Sequence, residues 1–286
     1  MTSTLITGGN TGIGYETARA LAAQDHDLII TSRSLAAAKE ATKRIQAETP
    51  AAVIHPLQLD LSDFVSVRDF AAKALAIFPI LDVALFNAGV MTPPYSMTGD
   101  GFELQFQANY LGHFQLYKLL RDALLAGGGK VISVSSLASE RSECVTLADF
   151  QVLARVAEAD YDGMSSYRAS KLAQVIFTVE LDRREAVQGL TSYAIHPGIV
   201  NTELFYRGRS EALKTIARPF VWLGYRSGRI LTPEQGAATS IYLAANDVEP
   251  SGAYWADEAV RPMNPAAQDE VLARDLWAWS ESLLPV

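Results

Sequence analysis

A glycine-rich turn between an apolar segment and a helical pattern is the feature that most limits how this chain can fold. Residues 3–21 read STLITGGNTGIGYETARAL, so Gly8, Gly12 and Gly14 separate a short strand from a helix. One glycine permits a tight turn, one lets the backbone approach a pyrophosphate, and one lets helix and strand pack closely. The N-terminus of the helix supplies free N–H groups for phosphates. The pattern therefore predicts a bound dinucleotide, with a purely structural turn as the alternative.

Short apolar strands alternate with longer helical patterns along the rest of the chain. The predicted strands lie at residues 4–7, 28–31, 52–59, 81–86, 130–135 and 191–196. Pro56 lies inside the third strand, which favours an edge position because proline cannot donate to the ladder. Near-continuous apolar strands between helices are typical of a parallel sheet covered on both faces. We predict one α/β domain over residues 1–286, a Rossmann-type doubly wound parallel sheet with helices on both faces.

Three predicted helices begin with recognisable capping residues. Ser34 precedes an Ala/Lys/Glu-rich helix, and Ser62 is predicted to cap the helix of FVSVRDFAAKALA. Thr232 is followed by Pro233 at the first helical position, and Gln235 completes a capping box. We expect this last helix to be a packing element without a chemical role.

Two segments, 137–164 and 201–231, interrupt the alternation, and each follows the end of a strand. Ligands of open parallel sheets bind beyond the carboxyl ends of the strands, so we predict that both segments form walls of a substrate pocket. Leu204, Phe205 and Tyr206 in the second segment favour a sizeable, largely apolar substrate. The alternative for 137–164 is a surface flap that mediates oligomer contacts.

Composition and charge exclude several functional classes. The formal net charge of −8 and the lack of a Lys/Arg cluster argue against nucleic-acid binding. Cys144 is the only cysteine and cannot form an internal disulfide, so we expect a reducing, cytoplasmic location. No apolar run is long enough for a membrane span, and no basic segment precedes the first strand, so neither a membrane anchor nor a signal peptide is expected.

No group of metal-binding residue types has ligand spacing in the sequence, so we predict that the protein holds no metal. His113 and His196 are candidates for catalysis by residue type alone. Each lies beside an apolar strand or helix, and we therefore predict structural roles for both.

The end of the second predicted strand indicates which dinucleotide is bound. An acidic residue usually follows the glycine turn by ~20 residues and bonds the ribose 2′-hydroxyl of NAD. Here the strand ends LIITSRS, with Ser32 and Arg33 at that point. A 2′-phosphate would meet no carboxylate there, and Arg33 can give it charge-assisted hydrogen bonds. We predict that NADP(H) is preferred over NAD(H); the alternative is that Arg33 is a solvated surface residue.

A tyrosine and a lysine lie four residues apart in a helical pattern. The segment SSYRASKLAQVIFTVEL, at 165–181, places Tyr167 and Lys171 on one helix face. A free phenol has a pKa near ~10 and is a poor acid–base catalyst at neutral pH. A neighbouring ammonium stabilises the phenolate, so Tyr167 could exchange a proton with a substrate oxygen. Taken alone, such a pair also occurs by chance on helix surfaces.

These motifs occur with others in a fixed order, and the chain resembles the short-chain dehydrogenase/reductase family along essentially its whole length. The matching segments are TGGNTGIG at 7–14, DLS at 60–62, NAG at 87–89, NYLGHF at 109–114, ISVSS at 132–136, Tyr167 with Lys171, and HPGIVNT at 196–202. Within the family, SKLAQVIF, SGAYW and DEVLARDLWAWSESLL are similar to the branch of retinol dehydrogenases and protochlorophyllide reductases.

The resemblance implies roles for individual residues. Tyr167 would be the general acid or base, and Lys171 would hold the nicotinamide ribose and lower the pKa of the tyrosine. Ser136 would bond the substrate oxygen, with Ser135 as the alternative, and Asn109 would anchor a water of a proton relay. The implied cofactor contacts are Gly8, Asn10, Thr11, Gly12, Ile13, Gly14, Ser32, Arg33, Asp60, Leu61, Asn87, Ala88, Gly89, Tyr167, Lys171, Pro197, Gly198, Val200 and Thr202.

The activity implied is hydride transfer between NADP(H) and a carbonyl or alcohol of a lipophilic or aromatic small molecule. One alternative is NADPH-dependent reduction of a carbon–carbon double bond, since the branch includes such chemistry. A second is a regulator that binds NADPH without turnover, although a pure sensor has no need of the four catalytic residue types. Family members commonly pair through the helices that carry Asn109 and Tyr167, which implies a homodimer or homotetramer.

Overall fold

The central element of the fold is a mostly parallel sheet, found in a computed structural model that describes residues 1–200 and 230–285. Its strand order is β3-β2-β1-β4-β5-β6-β7-β8, and β8 runs antiparallel to β7. The strands are β1 (Ser3–Ile6), β2 (Asp27–Ser32), β3 (Ile54–Gln58), β4 (Val83–Phe86), β5 (Lys130–Val134), β6 (Thr191–Ile195), β7 (Ala253–Ala256) and β8 (Ala259–Arg261). The predicted fold class is confirmed, and β3, which contains Pro56, lies at an edge as predicted.

Helices cover both faces of this sheet. The described helices are α1 (Gly12–Ala22), α2 (Leu35–Glu48), α3 (Phe64–Ile77), α4 (Leu104–Phe106), α5 (Gly112–Ala126), α6 (Leu147–Ala154), α7 (Gly163–Glu185), α8 (Pro233–Ala245) and α9 (Glu270–Leu283). A π-helical turn, Gln107–Leu111, joins α4 to α5. Side chains from α1, α2 and α8 fill one core, whereas α3, α5, α7 and α9 contribute to the other.

The strand order reverses beside β1, which pairs with β2 on one side and β4 on the other. In open α/β sheets this reversal leaves a crevice at the carboxyl ends of the strands, where ligands bind. The loops that follow β1 and β4 border that crevice. The topology therefore brings the glycine-rich turn and the NAG segment at 87–89 to the same edge of the sheet.

The C-terminal part of the fold was not predicted from the sequence. Strands β7 and β8 extend the sheet, and α9 packs against α5 and α7. Trp277 on α9 stacks on Phe177 of α7, with 5.7 Å between ring centroids, and meets Phe114 of α5 edge-on at 5.0 Å. Because α9 covers α7 on the side away from the sheet, α7 is buried over most of its surface.

Two of the three predicted helix caps are confirmed, and one is wrong. Ser34 accepts a hydrogen bond from the N–H of Ala37, and Thr232 forms the predicted capping box with Gln235. The helix after β3 is instead capped by Asp63. The hydroxyl of Ser62 donates to Asp60 at 2.6 Å and is thereby withdrawn from the helix end.

The structure describes the two predicted pocket segments to different extents. The first, 137–164, contains α6 and two short 3₁₀ turns, and it enters the core through Phe150, which is fully buried and contacts Phe106. It is therefore packed into the domain, and its role as a pocket wall or as a surface flap stays a prediction. Residues 201–229 of the second segment lie outside the described residues, as do Leu204, Phe205 and Tyr206. None of the helices in the described ranges has the length and apolar character needed to cross a membrane.

Candidate active site

The glycine-rich turn is held in place by the loop after β4. Gly8 has a φ of +67°, a conformation that L side chains rarely adopt. A Cβ at Gly14 would lie only 2.4 Å from Nδ2 of Asn87 and 2.4 Å from the carbonyl oxygen of Gly8. Nδ2 of Asn87 in turn donates to the carbonyl of Thr7 at 2.9 Å. Glycine is thus required at both positions by the local geometry, as the fingerprint predicts.

A buried hydrogen-bond bridge joins this turn to α5. The hydroxyl oxygen of Thr7 accepts the N–H groups of Asn87 at 2.9 Å and Ala88 at 3.0 Å, which uses both of its lone pairs. The nearest acceptor for its hydrogen is Nε2 of His113 at 2.9 Å, so Nδ1 carries the imidazole proton and donates to the carbonyl of Asn109. Burial lowers the pKa of His113 to about 3, which keeps the ring neutral.

The residues predicted to contact the cofactor line one cleft at this edge of the sheet. All of the predicted cofactor contacts within the described residues border it: Gly8, Asn10, Thr11, Gly12, Ile13, Gly14, Ser32, Arg33, Asp60, Leu61, Asn87, Ala88, Gly89, Tyr167, Lys171, Pro197, Gly198 and Val200. Thr202 lies outside the described residues. The positive φ angles of Gly8 and Gly12, and the N-terminus of α1 beside them, fit the pyrophosphate of a dinucleotide.

The two ends of the cleft differ in exposure. At the far end Arg33 is exposed, and its carbonyl accepts a hydrogen bond from Gln58. Asp60 uses Oδ1 to accept from both the N–H and the hydroxyl of Ser62, which fixes its side chain at the cleft wall. Tyr167 and Lys171 at the other end are only 5% and 4% exposed. The chemistry would therefore proceed in a largely dry part of the cleft.

Ser136 and Tyr167 lie together at this buried end. Burial raises the pKa of Tyr167, and a hydrogen bond with Ser136 opposes the rise. The hydroxyl oxygen of Ser136 also accepts the N–H of Ala138 at 3.2 Å, which leaves its hydrogen to be donated towards the oxygen of Tyr167. The hydroxyl of Ser135 donates to the carbonyl of Lys171 at 2.7 Å and is committed to the backbone. The geometry thus favours Ser136 over Ser135 as the group facing a substrate oxygen.

Lys171 presents a buried ammonium to Tyr167. Its Nζ lies 5.8 Å from the centre of the Tyr167 ring and donates to the carbonyl of Val134 at 2.8 Å and to Oε1 of Gln174 at 2.9 Å. Burial lowers the pKa of Lys171 to about 7. An ammonium has three N–H bonds, so one is left for a ligand once these two partners within the described ranges are counted. Sequence reasoning found the lysine but missed Gln174.

Asn109 lies behind the cleft wall, in the π-helical turn. Its side chain is fully buried; Oδ1 accepts the N–H of Val90 at 2.8 Å, and Nδ2 donates to the Val90 carbonyl and to the hydroxyl of Ser170. Ser170 in turn donates to the carbonyl of Tyr167 at 2.8 Å. Asn109 thus ties the loop after β4 to α7, the helix that carries Tyr167 and Lys171.

The wall opposite α7 contains a strained residue that the sequence did not reveal. Thr92 has a φ of +44°, which is a rare conformation for a β-branched residue. Gln105, fully buried, holds it: Oε1 accepts the N–H of Thr92, while Nε2 donates to the hydroxyl of Tyr161 and the carbonyl of Gly163. Gln105 therefore joins the pocket wall at Val90 and Met91 to the start of α7.

Within residues 1–200 and 230–285, the other candidate groups do not form a second centre. Nε2 of His196 lies 4.0 Å from Glu140, and its Nδ1 accepts the N–H of Gly198. Cys144 is buried, and burial raises its pKa. Across the described residues, no three His, Cys, Asp or Glu side chains are placed to hold a metal.

Comparison with known proteins adds independent findings. A model of the short chain dehydrogenase family matches residues 2–147. Retinol dehydrogenase 13 of Homo sapiens is 38% identical over 289 residues, which cover 98% of this chain and 83% of that protein. A crystal structure of an uncharacterised protein from Mycobacterium paratuberculosis matches with a TM-score of 0.76 and 29% identity, covering 100% of this chain and 96% of that one.

A further solved structure resembles this chain in fold alone. It is a short-chain dehydrogenase from Sphingobium yanoikuyae in complex with NADPH, with a TM-score of 0.64 and 19% identity. The likeness covers 85% of this chain and 84% of that one.

Proposed function

This chain belongs to the short-chain dehydrogenase/reductase family, and we propose that it transfers a hydride between NADP(H) and a carbonyl or alcohol carbon of a lipophilic or aromatic small molecule. Family membership makes it an oxidoreductase that uses a nicotinamide cofactor. The observation that carries the finer proposal is the position of Tyr167, Lys171 and Ser136 at the buried end of a cleft whose other end is a glycine-rich turn.

The proposed reaction assigns the proton to this chain's own residues. The nicotinamide, when bound, supplies or takes up the hydride. Tyr167 would donate a proton to the substrate oxygen in reduction and accept one in oxidation, and Lys171 would favour its ionised form. With a substrate bound, Ser136 would donate its hydroxyl hydrogen to the same oxygen, where negative charge develops. Asn109, in the π-helical turn, would anchor a water of the proton relay.

Preference for NADP(H) follows from Ser32 and Arg33 at the exposed end of the cleft. Neither residue brings a negative charge against a 2′-phosphate, and the guanidinium of Arg33 can bond it. The name of retinol dehydrogenase 13 supports a lipophilic alcohol or aldehyde as substrate.

The proposals on assembly and location concern the whole protein. We propose a homodimer or homotetramer. Because α9 packs on one face of α5 and of α7, the subunits would meet through other surfaces. A reducing, cytoplasmic location is proposed because the single cysteine, Cys144, is buried as a thiol.

Activity is tested by the absorbance of reduced nicotinamide with a panel of lipophilic aldehydes, ketones and an enone. We expect oxidation of NADPH that depends on an added aldehyde or ketone, and an allylic alcohol as the product of the enone. A saturated ketone from the enone would indicate the double-bond reductase instead. Binding of NADPH without oxidation by any substrate would support the regulator and contradict the proposal.

A further inference from the structure

We propose that Gln174 is a positioning residue for this reaction: its amide oxygen holds the ammonium of Lys171 beside Tyr167 and favours its charged form. The proposal rests on the proposed function, because Lys171 matters only if Tyr167 transfers a proton. The segment SKLAQVIF quoted above contains Gln174 but implies no role for it, and the proposed role follows from the contacts of its side chain.

The contact itself is short and buried. Gln174 lies three residues after Lys171 on α7 and is 2% exposed. Its Oε1 is 2.9 Å from Nζ of Lys171, and the other partner of that Nζ is the carbonyl of Val134 at 2.8 Å. Both partners are neutral oxygens, and within the described ranges no carboxylate pairs with the ammonium. Gln174 is therefore one of two groups that fix where the third N–H of Lys171 points.

The Nε2 group of the Gln174 amide indicates that a polar side chain is present at this position because of the contact with Lys171. Its Nε2 is buried and meets no hydrogen-bond acceptor among the described residues. A buried donor without a partner costs stability, and an apolar side chain of similar size would avoid that cost. The fold alone thus favours methionine or leucine at this position, whereas the contact to Lys171 requires an oxygen.

The electrostatic surroundings make Lys171 sensitive to that oxygen. The titratable groups that face it are the phenol of Tyr167 on the same helix and the imidazole of His113 on α5, which is neutral. Burial lowers the pKa of Lys171 to about 7, so charged and neutral forms are balanced near neutrality. A hydrogen bond accepted from the charged form shifts that balance towards the ammonium. Through Lys171, Gln174 then affects the ionisation of Tyr167.

The direct test follows the titration of Lys171 by NMR in the full-length protein with isotope-labelled lysine. Lys171→Met identifies the resonance by its loss. We expect Gln174→Met to lower the midpoint by about one pH unit, the effect of one hydrogen bond to a charged group. Gln174→Glu puts a carboxylate against Nζ, so the midpoint should rise. An unchanged Lys171 titration midpoint in both variants would overturn the proposal. If the methionine variant does not fold, an unchanged midpoint in Gln174→Glu is sufficient to overturn it.

Activity gives the second readout. For Gln174→Met we expect kcat to fall roughly tenfold and its pH profile to shift, while the unfolding midpoint stays the same or rises. Gln115→Met is the matched control, because Gln115 is also buried with one unpartnered amide atom among the described residues, and its activity should be unchanged. A fall in kcat without a shift in the profile would contradict a role through Lys171. If none of the carbonyl compounds tested supports oxidation of NADPH by the wild-type protein, the proposed function fails. The NMR titration would still test whether Gln174 affects the pKa of Lys171.

Discussion

The two halves of α7 each carry a buried charged residue, and these two residues differ in whether an opposite charge accompanies them. In the first half, Lys171 is held by neutral oxygens only. In the second half, Glu185 accepts from Nε of Arg121 at 2.7 Å and Nη2 at 2.8 Å, and from the hydroxyl of Tyr117 at 2.8 Å. Burial would raise the pKa of Glu185, but the hydrogen bonds from Arg121 and Tyr117 and the nearby positive charges together outweigh it, and the pKa is lowered.

This difference separates charge that supports the fold from charge that is kept for a ligand. A buried ion is stable when opposite charge and hydrogen bonds replace the water that it loses. Glu185 has both, whereas Lys171 has two hydrogen bonds and no counter-ion among the described residues. The ammonium of Lys171 is therefore incompletely stabilised in the isolated protein. A bound group that places oxygens beside it would stabilise it further. We expect the first half of α7 to determine activity and the second half to determine stability.

The largest expected effect is the loss of turnover on replacing Tyr167, the residue beside the Lys171 ammonium. Tyr167→Phe removes the hydroxyl and keeps the ring, so NADPH should still bind while turnover falls by ~10²–10⁴, the usual contribution of general acid–base catalysis. Binding is measured by the fluorescence of NADPH and turnover by its absorbance. Near-normal turnover would reject Tyr167 as the proton donor.

Exchanging each buried charge for a neutral residue tests the comparison itself. Glu185→Gln leaves Arg121 without its carboxylate and should cost about 1.5–3 kcal/mol in the free energy of unfolding. We place it at the lower end, because Arg121 is about a third exposed. Lys171→Met removes an ion without a counter-ion and should leave stability unchanged or higher. Denaturant unfolding measures both, and equal losses in the two variants would remove the distinction.

The pH dependence of stability sharpens the same contrast. In the folded protein the pKa of Lys171 is about 7, whereas its ordinary value is 10.5, so above about pH 7 the unfolded chain binds more protons. Lys171 therefore makes stability rise with pH from about 7 to about 10, and its destabilising effect is fully present below that window. The advantage of Lys171→Met over the wild type should shrink across the window; an advantage that is constant with pH would contradict a titrating lysine.

The smallest expected effect concerns Arg33, an exposed cation at the other end of the cleft. Arg33→Ala should raise the KM for NADPH relative to that for NADH by roughly tenfold, since one charge-assisted contact to an exposed phosphate is lost. Steady-state kinetics with both cofactors measures the ratio. An unchanged ratio would show that Arg33 is a solvated surface residue.

Local stereochemistry explains which parts of the site could be predicted from the sequence. The glycine-rich turn demands a positive φ at Gly8 and the lack of a Cβ at Gly14, and both demands are visible as residue types. The spacing of Tyr167 and Lys171 likewise follows from the helix period. The choice between Ser135 and Ser136 required the structure, because adjacent residues of a strand end point in opposite directions.

Features set by tertiary contacts were missed for a physical reason. Gln174 is one of several polar residues on a helix buried on nearly all sides, and nothing in the pattern distinguishes it from a solvent-facing glutamine. Ser62 has the right type and position for an N-cap, but Asp60 competes for its hydroxyl. The strain at Thr92 depends on Gln105, thirteen residues later. The burial of Gln174 and the conformation of Thr92 depend on contacts that the local sequence does not indicate, whereas Asp60 competes with the helix end from only two residues before Ser62.

The most direct test of the central claim is a crystal structure of the full-length protein with NADPH. We predict that the nicotinamide lies at the buried end of the cleft, with Tyr167 and Ser136 beside it. Lys171 should keep its bonds to Val134 and Gln174 and give its third N–H to the cofactor ribose. NADPH bound elsewhere, or a Lys171 ammonium that makes no contact with it, would contradict the account.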